Sequence, residues 1–158
     1  MNHVPEFDEY RAAKAAKAKR SPRPPRTPSQ IQDKYWVSAN SRTNRVRFTE
    51  RSGKWLIFVP MAELDDAWSK IKQATQAGLL SNDSKAATGL PNPNAIDPTL
   101  KVICVYTYDS DDREDVFRVR QALRDLGFER PIPYKTDRAT LKGRYQVQGD
   151  RRISLYYE

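Results

Sequence analysis

The sequence predicts an α+β domain: a curved, mainly antiparallel sheet with two helices on one face, preceded by a disordered basic N-terminal arm. Three observations lead there. Short runs rich in β-branched and aromatic residues, bounded by Gly, Pro, Asn and Asp, recur from residue 35 onward. Two longer stretches repeat apolar residues at spacings of three and four, the period of a helix with one buried face. The order strand–helix–strand–strand–helix–strands then argues for an α+β layer arrangement.

The arm spans residues 1–30 and the domain residues 31–158. "YRAAKAAKAKR" has good helix propensity but almost no large apolar side chain with which to dock. "SPRPPRTPS" follows as an extended, polyproline-like linker. The domain opens with a strand at "DKYWVSA", and the alternating "RVRFTE" (Arg45 to Glu50) suggests another. "KWLIFVP" (Lys54 to Pro60) is an apolar run of buried-strand length, stopped by a proline that cannot continue a ladder. Met61, Leu64, Trp68, Ile71 and Ala74 make the stripe of the first helix, which Gly78 ends.

"DSKAAT" (Asp83 to Thr88) is a short strand of small residues, and "GLPNPNAIDP" a loop dense in Gly, Pro and Asn. "KVICVYTY" is the strongest strand of the chain. The second helix starts at a capping box of Asp111 and Glu114, buries Val116, Val119, Leu123 and Leu126, and stops at Gly127. Residues 132–135 form a strand with Tyr134 and Lys135 on opposite faces, and Thr136-Asp137 starts a turn. "GRYQVQ" and "RRISLYYE", joined by "GD", read as a closing hairpin.

Composition narrows the function. The chain has 158 residues and a formal net charge of +8, of which the arm carries +4 from seven Lys or Arg against three acids. That balance favours a polyanionic or phosphorylated partner without specifying one. The single cysteine, Cys104, rules out an intramolecular disulfide framework and suits a reducing, cytoplasmic setting. No apolar run approaches the roughly 20 residues that span a bilayer, so no membrane is expected. The only histidine, His3, lies in the arm. A domain without histidine cannot run a Ser-His-Asp mechanism and lacks the usual zinc ligands.

The candidate residues follow from what remains. Cys104, between Ile103 and Val105, reads as a buried small hydrophobe. Asp109, Asp111, Asp112, Glu114 and Asp115 lie where a helix N-terminus welcomes negative charge. Trp55 and Trp68 belong to apolar patterns, whereas Trp36 is open to a core or a ligand role. Lys85 sits in a strand of small residues where a long cation has no obvious packing use. Asp83, two residues earlier on the same face, stabilises its ammonium, so the residues alone favour a surface lysine over a catalytic base. Lys135, Arg138, Lys142 and Arg144 crowd into "YKTDRATLKGR", either converging on an anion or scattering into water.

"GKWLIFVP", "AWSKIKQATQAGLLSNDSKAAT", "VICVYTYDSDDREDVFRVRQALRDLGF" and "PYKTDRATLKGRY" together resemble the family of the basophilic leukaemia expressed protein. The resemblance covers roughly residues 35–158. Bacterial members look like proteins said to carry a phosphothreonine lyase domain. The implied fold is similar to that of the cap-binding translation initiation factor. The more distant likeness is to phosphothreonine lyase effectors, which expel phosphate by β-elimination without metal or other cofactor. By that resemblance Lys85 stands for the base, Lys54 for a lysine opening the acid-bearing strand, and Tyr106 for a supporting tyrosine. Lys135 matches a phosphate-binding arginine, and Lys142 or Arg144 a second. One departure stands out: the effectors' acid histidine aligns with Leu56.

Two functions of different class are therefore expected. One is β-elimination of phosphate from phosphothreonine or phosphoserine, with Lys85 and Lys54 catalytic and Lys135, Arg138, Lys142, Arg144 and Tyr106 holding the phosphate. The other is a non-catalytic module that recognises phosphate on RNA, a nucleotide or a phosphoprotein. A third reading is an adaptor with no small ligand.

Overall fold

Alternation along Gly53–Pro60 organises the molecule. Trp55, Ile57 and Val59 are buried while Phe58 and Pro60 are exposed, so one face of this strand, β2, enters the core and the other stays open. The computed structural model describes residues 23–44, 48–141 and 154–158. Around β2 (Gly53–Pro60) lie β1 (Trp36–Asn40), β3 (Asp83–Ala87), β4 (Leu100–Thr107), β5 (Pro133–Thr136) and β6 (Tyr156–Tyr157). They form one open sheet in the order β1-β3-β4-β2-β5-β6, with every neighbouring pair antiparallel. The chain is thus α+β, as its pattern predicts.

Helix α1 (Met61–Gln76) and helix α2 (Arg113–Asp125) close the same core against that buried face. On α1 the stripe Leu64, Trp68, Ile71 and Ala74 is buried, but Met61 is left exposed. On α2, Val116, Val119 and Leu123 are fully buried. The Trp55 indole joins the layers, donating its Nε1–H to the Val116 carbonyl at 3.0 Å. Burial of large apolar side chains such as Leu64 and Ile71 stabilises the fold by roughly 1.5–3 kcal/mol each. At the end of α2, Gly127 adopts φ +100. Its N–H bonds to the Arg124 carbonyl and that of Phe128 to the Leu123 carbonyl, the paired bonds of a left-handed helix stop.

Several local expectations are corrected. Asp112, and not Asp111, caps α2, accepting from the Asp115 N–H at 3.1 Å. The side chain of Asp109 takes the Asp111 N–H first, which starts the helix one residue later and leaves Glu114 out of a box. Phe48–Glu50 is not a strand. Thr49–Ser52 is a turn, in which Ser52 accepts the Thr49 N–H through its hydroxyl and donates that hydroxyl to the Tyr108 carbonyl; Arg45 to Arg47 lie outside the described residues. Thr136-Asp137 opens a short helix, α3 (Asp137–Leu141), because the Thr136 hydroxyl accepts the Ala139 N–H and so caps a helical turn.

The closing hairpin lies largely outside the described residues. Its last strand, β6, pairs with β5. Contact with the core begins ahead of residue 31: Pro28 is buried in a 3-10 turn (Pro28–Gln30), and Ser29 gives both its N–H and its hydroxyl to Asp65 of α1 at 2.9 and 2.6 Å. Residues 1–22 of the arm lie outside the described residues. Among those residues no helix is long and apolar enough to cross a membrane.

Candidate functional site

The face of the sheet away from the helices gathers the candidate side chains. The β2–β4 register sets Lys54 beside Tyr106, Leu56 beside Cys104 and Phe58 beside Val102. β5 adds Lys135 opposite Lys54, and β3 adds Lys85 opposite Cys104. Lys135, Lys54 and Tyr106 therefore form one row across three strands, about 4.8 Å apart from strand to strand. Leu56, Cys104 and Lys85 form the next row.

Over this face the Pro- and Asn-rich loop of residues 89–98 and the pair Tyr35 and Trp36 raise walls. They enclose a groove of about 800 Å³ whose floor includes Leu56, Phe58, Val102 and Cys104, and whose cations include Lys54, Lys85 and Lys135. The volume lies within the range of small-ligand sites.

The cationic end is built closely. The Lys54 ammonium bonds Asp137 Oδ1 at 2.7 Å and stands 5.3 Å from the centre of the Tyr106 ring. The Lys85 ammonium lies 4.0 Å from the centre of a Trp36 ring and 5.9 Å from that of Tyr106, so the two lysines attend the same phenol. The ring faces attract ammonium through their negative quadrupoles. Lys135 is buried in the sheet beside Lys54. Phe48 meets Tyr106 edge-on at 5.7 Å and steadies it from the side.

Burial pushes the Tyr106 phenol well above its ordinary range, and the nearby Cys104, Asp137 and Asp83 push the same way. Tyr106 is therefore a hydroxyl at neutral pH, able to donate to an anion but a poor source of a proton. Burial likewise raises the Cys104 thiol to about 11, against the opposing pull of Lys85 and Lys54. It remains a thiol and no nucleophile.

Of the residues named from the sequence, Lys54, Lys85, Lys135 and Tyr106 come together here. Arg138 is exposed on α3 and does not line the groove. Lys142 and Arg144 lie outside the described residues. The acidic cluster is consumed locally: Arg51 pairs with Asp109 at 2.8 Å, Arg118 with Asp115 at 2.8 Å, and the Tyr108 hydroxyl donates to Asp112. No group of three His, Cys, Asp or Glu side chains that could hold a metal ion occurs among the described residues.

Sequence reasoning missed Asp137 as the partner of Lys54, and it missed the groove itself. "KWLIFVP" reads as apolar throughout, and only the odd–even split along a strand separates Trp55 and Ile57, in the core, from Leu56 and Phe58, on the floor. The chain matches the family described as "Basophilic leukemia-expressed protein Bles03" over residues 9–141, which takes in α1 to α3, β1 to β5 and all four gathered residues, and it belongs to that family.

Proposed function

We propose that this member of the family binds the phosphate of a phosphothreonine or phosphoserine side chain on the open face of its sheet. The observation that carries the reading is the convergence of Lys54, Lys85 and Lys135 at one end of an otherwise largely apolar groove, with the centre of the Tyr106 ring 5.3 and 5.9 Å from the Lys54 and Lys85 ammonium groups. A phosphate monoester offers several acceptor oxygens and close to two negative charges. Ammonium groups supply its charge, and a protonated phenol adds a directed hydrogen bond. The same groove suits a phosphoprotein better than a free ion, since its volume far exceeds one phosphoryl group. A single buried, unpaired cysteine fits a cytoplasmic setting for such a partner.

A second reading, elimination, has its own support in Lys85, which stands in the groove beside the same tyrosine as Lys54. In that step a neutral Lys85 amine takes the Cα proton of the phosphorylated residue. The electron pair forms the Cα–Cβ double bond, the Cβ–O bond breaks, and phosphate leaves with its bridging oxygen. Lys54 would have to give that oxygen a proton, since by the sequence resemblance Leu56 stands where the effectors carry their acid histidine, and burial holds Tyr106 protonated. General acid assistance is typically worth about 10²–10⁴-fold, and its loss weighs for binding over turnover.

The test is a calorimetric titration with phosphothreonine peptides alongside mass spectrometry of the recovered peptide. Binding that requires the phosphate and drops at least tenfold in Lys135→Met supports recognition. A dehydrated product, lost in Lys85→Ala, would move the assignment to the lyase. Equal affinity for phosphorylated and unphosphorylated peptides would remove both.

A further inference from the structure

Resting on that reading, the geometry points to a particular substrate class: an extended phosphopeptide with large apolar side chains two and four residues from the phosphorylated one. Four of the eight exposed large hydrophobic side chains among the described residues, Tyr35, Phe58, Met61 and Ile96, line this one groove. Scattered exposed apolar residues need no explanation, but a contiguous set in a groove marks a binding surface. Met61 sharpens the point. It leaves the buried stripe of α1 and reaches the groove, so that the helix contributes to the groove at the expense of its own core.

The spacing follows from the strand that makes the floor. Lys54, Leu56 and Phe58 alternate onto the open face of β2. At about 3.3 Å of rise per residue, Leu56 lies about 7 Å and Phe58 about 13 Å beyond the lysine row. Cys104 and Val102 of β4 stand beside them at the same depths. An extended peptide has the same rise and the same alternation. When its phosphate meets Lys54, Lys135 and Tyr106, its side chains two and four positions along return to the groove. They meet Leu56 with Cys104, then Phe58 with Val102, under the wall that carries Ile96. Side chains one and three positions along point away from that floor. Phosphate at the cationic end and hydrocarbon along the remainder match the groove in both charge and polarity.

The experiment compares synthetic peptides in which phosphothreonine is followed or preceded by alanine throughout, by leucine and phenylalanine at the second and fourth positions, or by the same two residues at the first and third. Each is titrated with and without the phosphate, next to free phosphothreonine. We expect the second-and-fourth peptide of one chain direction to bind about ten- to hundredfold more tightly than the alanine peptide, which is the effect of burying one or more large apolar side chains.

Phe58 is half exposed, so Phe58→Ser leaves the core intact. That variant should bring the favoured peptide near the alanine level and leave free phosphothreonine unchanged. A phosphate requirement without any preference for apolar positions, or a preference for the first and third, overturns the inference and spares the phosphate reading. An apolar preference that ignores the phosphate overturns the phosphate reading, and with it the substrate class proposed.

Discussion

At the residue scale the groove hinges on side chains that break the apolar pattern around them. Leu56 is the reverse case, an apolar side chain between Lys54 and Phe58 on the open face of β2, at the position that the sequence resemblance aligns with the acid histidine of phosphothreonine lyase effectors. Leu56→His places an imidazole in that row. We expect phosphate elimination from phosphothreonine peptides to rise about a hundredfold, with phosphate affinity little changed. The readout is inorganic phosphate released together with a dehydrated residue, and no increase would take elimination out of this groove and leave recognition alone.

Asp83, two residues before Lys85 on β3, shows how the neighbourhood bears on stability. Burial raises its carboxyl above the ordinary value of 3.8. A folded pKa above the unfolded one means that ionisation costs stability: the cost is fully present above the folded pKa and vanishes below the unfolded one. Asp83→Asn should therefore raise the melting temperature at pH 7. The gain should shrink to nothing near pH 3.5, and thermal unfolding at the two pH values checks it. A lower melting temperature at pH 7 would mean that the carboxylate earns its place through a contact that outweighs its desolvation.

At the element scale, Arg120 does for the C-terminal strand what Trp55 does for β2. It is fully buried on α2, between Val116 and Leu123 in the stripe. Its guanidinium donates to the carbonyls of Phe128 at 2.8 Å, Arg130 at 2.9 Å and Glu158 at 2.9 Å, tying β6 and the loop after α2 to the helix. Arg120→Met keeps the length but leaves these carbonyls without the donor. We expect a loss of about 3 kcal/mol or more in urea denaturation. Amide exchange should quicken first at Ile132 and Glu158, which pair their backbones with each other.

The sequence could not announce this residue, because its partners are carbonyls brought from eight to thirty-eight positions away. What it did announce is what local period controls. Trp55 and Trp68 fall on core positions by strand and helix spacing, and Gly127 ends α2 as its place after Leu126 requires. Lys54, Lys85 and Lys135 were brought together by resemblance, since only the register between strands far apart in the chain makes them neighbours. Thr136-Asp137 misled for a simpler reason: the side chain that starts a turn also caps a helix. Gly53 was likewise silent. A Cβ there would collide with the ring of Tyr134, which lies fully buried across the β2–β5 pair.

At the scale of the whole molecule, charge is divided between two places with different physics. Arg11, Lys14, Lys17, Lys19 and Arg20 put five cations into ten residues of the arm without one acid. Lys54, Lys85 and Lys135 of the groove are instead set among strands, with Lys54 and Lys135 buried. A polyanion such as single-stranded RNA is attracted by releasing its condensed counterions, and that gain falls with salt. With five contacts on a single strand, affinity should drop about a hundredfold between 50 and 200 mM salt. Phosphate held by the partly buried groove lysines is screened much less.

The two partners expected from the sequence can therefore be separated in one chain. Replacing the five arm cations by glutamine should remove most of the affinity for a twelve-nucleotide RNA at 50 mM salt and change phosphothreonine peptide binding less than about threefold. Lys135→Met should do the opposite. If RNA binding survives the arm substitutions and is lost in Lys135→Met, then the polyanion occupies the groove. The row of Lys135, Lys54 and Tyr106 would then read a nucleic-acid phosphate instead of a phosphorylated side chain.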